Sequence, residues 1–184
     1  MAFFPALKRW ANLGRPFGAG ARSRTASLAQ ISDWVSRKNR NGFHWQLIMV
    51  YLTRKAEFSA SHYYHNPEFT PDENARLFGK CNNPHGHGHN YTLEVTVKGA
   101  VDPKSGFVVD LKQLKDIMNR EVLDSLDHRF LNKEVPEFFT RIPTTENIAI
   151  TIWQRLAPKL KTAQLHRVRV YETPDLFVDF YGEV

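Results

Sequence analysis

From Val50 to His62, and again from Tyr91 to Val97, the chain alternates apolar and polar residues with a period of two. In the first stretch Ala56, Phe58, Ala60 and His62 fall on one side, with Glu57, Ser59 and Ser61 on the other. In the second, Tyr91, Leu93, Val95 and Val97 alternate with Thr92, Glu94, Thr96 and Lys98. Successive strand side chains point to opposite faces, so both stretches predict β-strands with one face against a core. Between them, Thr70-Pro71-Asp72-Glu73 supplies a capping hydroxyl, a first-turn proline and a glutamate at the third helical position, and Gly79 can end the short helix. After a turn at 102–106, Asp110 caps a helix whose apolar residues Leu111, Leu114, Ile117, Met118 and Val122 recur at helical spacing, running out near Leu126. Pro143-Thr144-Thr145-Glu146 opens a second amphipathic helix through Ile148, Ile152, Trp153, Leu156 and Leu160. Val168 and Val170, then Phe177 to Tyr181, give two further strands. The order β, short helix, β, α, α, β, β contains no alternating βαβ series and predicts an antiparallel α+β domain.

The 184 residues, 42% hydrophobic and 24% charged, suit one globular domain with its own core. The apolar run 47–52 is far shorter than the roughly 20 residues of a membrane span, so no membrane role is expected. A single cysteine, Cys81, excludes an internal disulfide and thiolate-rich zinc sites, and points to a reducing compartment. The net charge of +6 is uneven. Residues 1–48 hold eight Lys or Arg against Asp33 alone, leaving 17 basic and 18 acidic residues of the totals of 25 and 19 for the remainder. The folded part therefore has no electrostatic case for nucleic acid. Residues 1–48 are rich in Arg, Gly, Ala and Ser without periodicity, and read as a disordered extension: a transit peptide, an arm, or an over-long start, since Met49 stands directly before the first strand. Residues 49–184 form the folded domain. Its location is expected to be cytoplasmic, or organellar if the extension directs import.

The stretch Cys81-Asn82-Asn83-Pro84-His85-Gly86-His87-Gly88-His89-Asn90-Tyr91 carries the chemistry. A two-residue period puts its histidines on one strand face, shared with Tyr91 and Leu93. Neutral imidazoles are preferred zinc ligands, and glycines between them let backbone and metal approach. His62, on the core side at the end of the first strand, is the natural third ligand; three protein ligands leave a corner for substrate, as in catalytic zinc sites. A polar loop that chelates metal by chance gives the same His-x-His pattern.

Taken together, Phe58-Ser59-Ala60-Ser61-His62, the run from Cys81 to Tyr91, Leu126-Asp127-His128, Thr144-Thr145-Glu146-Asn147 and Tyr171-Glu172-Thr173 resemble the 6-pyruvoyltetrahydropterin and 6-carboxytetrahydropterin synthase family. The likeness spans about Val50 to Glu183; residues 1–48 have no counterpart in it. It implies the tunnelling fold (T-fold): an antiparallel four-stranded sheet with two helices on one face, assembling into a barrel-like trimer and a homo-hexamer, with sites at subunit interfaces. It implies a zinc-dependent lyase whose small-molecule substrate is 7,8-dihydroneopterin triphosphate, and no nucleic-acid or membrane partner. Residue by residue, it implies zinc ligands His62, His87 and His89, Cys81 as proton-abstracting thiol with Asp127 and His128 as partners, Glu172 as pterin anchor, and Thr144 and Thr145 near the ligand.

Physical chemistry fits these roles. A thiolate is a suitable base when a nearby imidazole and metal lower its pKa. A carboxylate beside Val168 and Val170 is costly unless paired, and the guanidine-like edge of a pterin offers paired donors. Blander readings also stand at this point: Cys81 as an inert thiol, Asp127-His128 as a helix end, Glu172 paired with Arg167 or Arg169, Thr144 and Thr145 as caps, and a non-catalytic pterin- or metal-binding protein. The pyruvoyl type resembles Cys-x5-His-x-His and the carboxy type Cys-x3-His-x-His, and His85 lets this sequence satisfy both. The ligand pair followed by Asn-Tyr, the Cys-Asn-Asn-Pro context and the short helix before it favour the pyruvoyl branch, forming 6-pyruvoyltetrahydropterin; the carboxy branch, with acetaldehyde as by-product, is the alternative.

Overall fold

The computed structural model describes residues 49–182, and the expectations for residues 1–48 lie outside them. β1 (Met49–His62) pairs antiparallel with β2 (His87–Ala100) along their whole length, and β2 pairs with β4 (Gln164–Thr173), which pairs with β5 (Leu176–Phe180). These are the four antiparallel strands expected. A two-residue β3 (Arg129–Phe130) adds parallel to β1 at Ala60 and Ser61, giving the order β3-β1-β2-β4-β5. Periodicity could not register so short an element.

Helix α1 (Pro71–Phe78) begins as predicted: the Thr70 N–H donates to Glu73 Oε2 at 2.8 Å and the Glu73 N–H to Thr70 Oγ1 at 3.3 Å. Helix α2 (Leu111–Met118) starts at Asp110, whose carboxylate accepts from the Lys112 and Gln113 N–H groups, and continues through a π-helical turn, Asn119–Leu123, to Leu126. A short α3 (Leu131–Glu134) follows β3, and α4 (Thr145–Leu156) ends one turn earlier than the apolar pattern suggested, with Ala157–Lys159 tightening to 3-10 geometry around Pro158.

The core lies between the helices and one face of the sheet. Phe58, Tyr91, Leu93, Val95, Val97, Val168 and Val170 from the strands meet Leu114, Met118, Val122, Ile148, Ile152 and Leu156 from the helices. Each such fully buried side chain contributes about 1.5–3 kcal/mol. The opposite face of β2 is covered by charge. Glu94, only 6% exposed, accepts from Lys55 at 2.7 Å and Arg167 at 3.0 Å, while Arg169 holds Asp179 through two bonds of 2.7 and 2.6 Å. Arg167 and Arg169 are thus paired elsewhere, and Glu172 is left to the core side. Among the described residues no helix is long and apolar enough to cross a membrane.

Candidate functional site

The β1–β2 register sets His62 opposite His87 and Ala60 opposite His89, all on the core face. Ring centroids of the three imidazoles lie 4.6 to 5.1 Å apart, and one ring nitrogen from each falls within 4.8 Å of the others. The His62 ring is fully buried. Its Nδ1 lies 2.8 Å from the Pro143 carbonyl oxygen, which can only accept; the proton therefore sits on Nδ1, and Nε2 presents a lone pair. That Nε2 faces His87 Nε2 at 3.2 Å, while His87 Nδ1 and His89 Nε2 are buried without a hydrogen-bond partner. An orphaned buried polar atom costs about 1–3 kcal/mol, and a cation among the rings would remove that cost. Zinc–nitrogen bonds of about 2.0–2.1 Å in a tetrahedron place nitrogens about 3.3–3.4 Å apart, close to the His62–His87 separation. Burial pushes His62 down to about 4, helped by the neighbouring imidazoles and opposed by Pro143; burial likewise lowers His89. Both stay neutral near pH 7, the form that binds metal.

His85 does not share this face. The expectation of three histidines on one strand face fails because Gly86 adopts φ 75° and the strand begins only at His87. His85 is exposed in the preceding turn, its N–H donating to Asn83 Oδ1. Gly86 is required twice over: a Cβ there would meet the His62 carbonyl at 3.1 Å and the Phe130 ring at 3.2 Å.

Glu172 lies beside the imidazoles. Tyr171 pairs with Phe177 and Thr173 with Leu176, so Glu172 is the extra residue of a β-bulge, a device that re-aims a side chain. Its side chain is 12% exposed, with Oε1 3.5 Å from His89 Nε2 and Oε2 accepting from the Thr145 hydroxyl. Thr145 is buried in the first turn of α4, whereas Thr144 caps that helix, accepting from the Asn147 N–H. Of the two threonines, Thr145 alone meets Glu172. Cys81 sits half-buried in the 3-10 turn Gly79–Asn82, its carbonyl accepting from the Tyr64 N–H at 2.8 Å. Burial, and then the Glu172 charge, push its thiol up. The lowering imidazole expected from His128 is not alongside.

Asp127 and His128 sit at the outer edge of β1. Asp127 Oδ1 accepts from the Ser59 N–H at 2.8 Å, and the His128 N–H donates to the Ser59 carbonyl, docking the pair on the outer edge of β1. Asp127 Oδ2 lies 3.0 Å from His128 Nδ1, and the Ser59 and His128 donors hold the Asp127 carboxyl below the usual range. The His128 side chain is 81% exposed and lines an open cleft with Ser59, Ala60 and Ser61 of β1 and Gly88, His89 and Asn90 of β2. His128 is also the one non-glycine residue described at positive φ, 58°. No hydrogen bond or ion pair joins this dyad to Cys81.

Three contributors escaped the sequence reading. Pro143 and Tyr91 both approach His62 Nδ1, the Tyr91 hydroxyl at 3.2 Å. Tyr64 packs edge-on against His62 with centroids 4.9 Å apart, its hydroxyl 3.5 Å from Glu172 Oε2. Tyr64 was legible, since it extends the two-residue period of Phe58, Ala60 and His62; the Pro143 carbonyl had no sequence signal.

The sequence model of the family described as 6-pyruvoyl tetrahydropterin synthase matches residues 51–183. The chain is 45% identical over 132 residues to a human protein named 6-pyruvoyl tetrahydrobiopterin synthase, covering 72% of this chain and 91% of that one. A protein of Rickettsia bellii named 6-carboxy-5,6,7,8-tetrahydropterin synthase is 29% identical over 150 residues, 71% of this chain and 99% of its own. The solved Caenorhabditis elegans 6-pyruvoyl tetrahydropterin synthase superposes with a TM-score of 0.72 at 41% identity, covering 76% of this chain and 99% of that one. With a family match across the described domain and shared architecture, the chain belongs to the 6-pyruvoyl tetrahydropterin synthase family and carries its T-fold.

Proposed function

We propose that the chain is a zinc-dependent lyase converting 7,8-dihydroneopterin triphosphate to 6-pyruvoyltetrahydropterin with release of triphosphate. The observation that carries this reading is the convergence of three imidazoles and a re-aimed carboxylate on one sheet face, with the half-buried Cys81 thiol close enough to feel the Glu172 charge. His62, His87 and His89 would hold the ion, and Pro143 and Tyr91 orient His62. Zinc bound there would supply positive charge that acidifies neighbouring C–H and O–H bonds of the substrate side chain. Glu172, held by Thr145, binds the donor edge of the pterin. Cys81 moves the proton between side-chain carbons.

Asp127 orients and charge-balances His128, but their separation from Cys81 within one chain means that a second copy must bring them to the thiol. A homo-oligomer, with a trimer-based hexamer as the family resemblance implies, accounts for an exposed dyad docked on a sheet edge. The exposed position of His85 supports the Cys-x5-His-x-His reading, and hence the pyruvoyl branch.

Purified protein is expected to contain one zinc per subunit and to turn over 7,8-dihydroneopterin triphosphate with triphosphate release and retention of the three-carbon side chain. Stoichiometric acetaldehyde would transfer the chain to the carboxy branch. Pterin binding without turnover would reduce it to a binding protein.

A further inference from the structure

Tyr64 has no role in the reading above, yet its side chain occupies the carboxylate that the substrate needs. Glu172 Oε2 receives two hydroxyls: Thr145, in a close contact, and Tyr64 at 3.5 Å. A carboxylate oxygen has two in-plane lone pairs, so these donors fill Oε2. A pterin edge with two parallel N–H groups requires one lone pair on each oxygen, as in other fork-like pairings. One hydroxyl must therefore leave before both N–H groups can seat.

The two donors are not equally held. Thr145 is 4% exposed and locked in the first turn of α4. Tyr64 is half-buried, and its contact lies at the outer limit of hydrogen bonding. Its backbone is anchored at both ends, the N–H to the Cys81 carbonyl at 2.8 Å and the carbonyl to Asn82 Nδ2 at 2.7 Å, so the side chain can swing without disturbing the turn that carries Cys81.

We propose that Tyr64 is a stand-in donor: its hydroxyl satisfies Glu172 in the free site and is displaced by the N–H edge of the incoming pterin, which makes Tyr64 a determinant of pterin affinity. This rests on Glu172 being the pterin anchor. In the free site Tyr64 adds a second donor to the one Thr145 supplies, and binding proceeds at the cost of breaking that one weak contact.

Equilibrium titration with 7,8-dihydroneopterin, which has the ring edge but no triphosphate to lose, tests the inference. Tyr64→Phe, with its zinc content measured as a check on the site, should bind this probe about three- to tenfold more tightly than the unaltered chain, because the competing donor is gone. Equal or weaker binding overturns the proposal, weaker binding making Tyr64 a residue that pre-orients Glu172. Should the variant fail to fold, ζ-carbon-labelled tyrosine in the unaltered protein gives the answer: the Tyr64 resonance should move on saturation, and a stationary signal overturns the proposal. Failure of the unaltered protein to bind the probe would instead remove the pterin reading on which the proposal rests.

Discussion

The core face of the β1–β2 pair and the outer edge of β1 divide the chemistry unequally. On the core face, His62, His87, His89, Glu172 and the neighbouring Cys81 are assembled by a single chain, with buried nitrogens lacking partners and a carboxylate aimed by a bulge. At the outer edge of β1, Asp127 and His128 are fully formed as a pair, clamped to Ser59 in a left-handed turn, and the His128 side chain is largely exposed. On the proposed function, the core face lacks its second proton-transfer group, and the strand edge carries such a group without a site of its own. Among the described residues no hydrogen bond or ion pair joins the dyad to Cys81. On the function proposed above, a subunit carries two complementary halves, and a complete site would take them from two copies.

The largest effect belongs to the core face. His62→Ala or His89→Ala should abolish metal retention and activity together, read by elemental analysis after dialysis; retained metal would show that the imidazole cluster is not the centre. The same burial predicts an acid limit. With His62 lowered to about 4 from its ordinary 6.5, the unfolded chain binds the proton first as pH falls. The stabilisation from a neutral His62 is complete above pH 6.5 and fades as pH falls towards 4, up to about 3 kcal/mol in metal-free protein. Denaturant midpoints across that range should fall with pH, and in His62→Ala the slope should flatten.

Cys81→Ala should lose at least about a hundredfold in rate while keeping its metal, because base and metal are separate parts. Loss of zinc in this variant would make Cys81 a ligand rather than a base. The two-copy arrangement is sharpened by mixing. Cys81→Ala and His128→Ala subunits, each nearly inactive, should recover roughly a quarter of normal activity when refolded together at equal ratio, because an interface between copies can unite one intact thiol with one intact dyad. No recovery would place both halves in one chain's site. The smallest effect is expected outside both regions: His85→Ala should retain its metal and change rate by less than about twofold, as surface substitutions do.

Local chemistry made much of this legible. The alternation that ends at His62, the cap at Thr70 and the cap at Asp110 are short-range patterns, satisfied by neighbours in sequence, so they survive into the structure unchanged. The choice of His89 over His85 was only half legible, because period two extends through both, and the turn at Gly86 interrupts it. The bulge at Glu172 and the two-residue β3 depend on pairing with distant strands and leave no periodic trace.

By itself, then, the sequence determined which residue types could bind a cation or move a proton, and on which face of their own strand each would lie, because both follow from side-chain chemistry and a two-residue period. Only the tertiary structure decided which of them meet. The Pro143 carbonyl on His62, Thr145 on Glu172 and Ser59 beneath Asp127 span 81, 27 and 68 residues of chain. Contacts of that reach are set by strand register and helix packing, which no local pattern encodes.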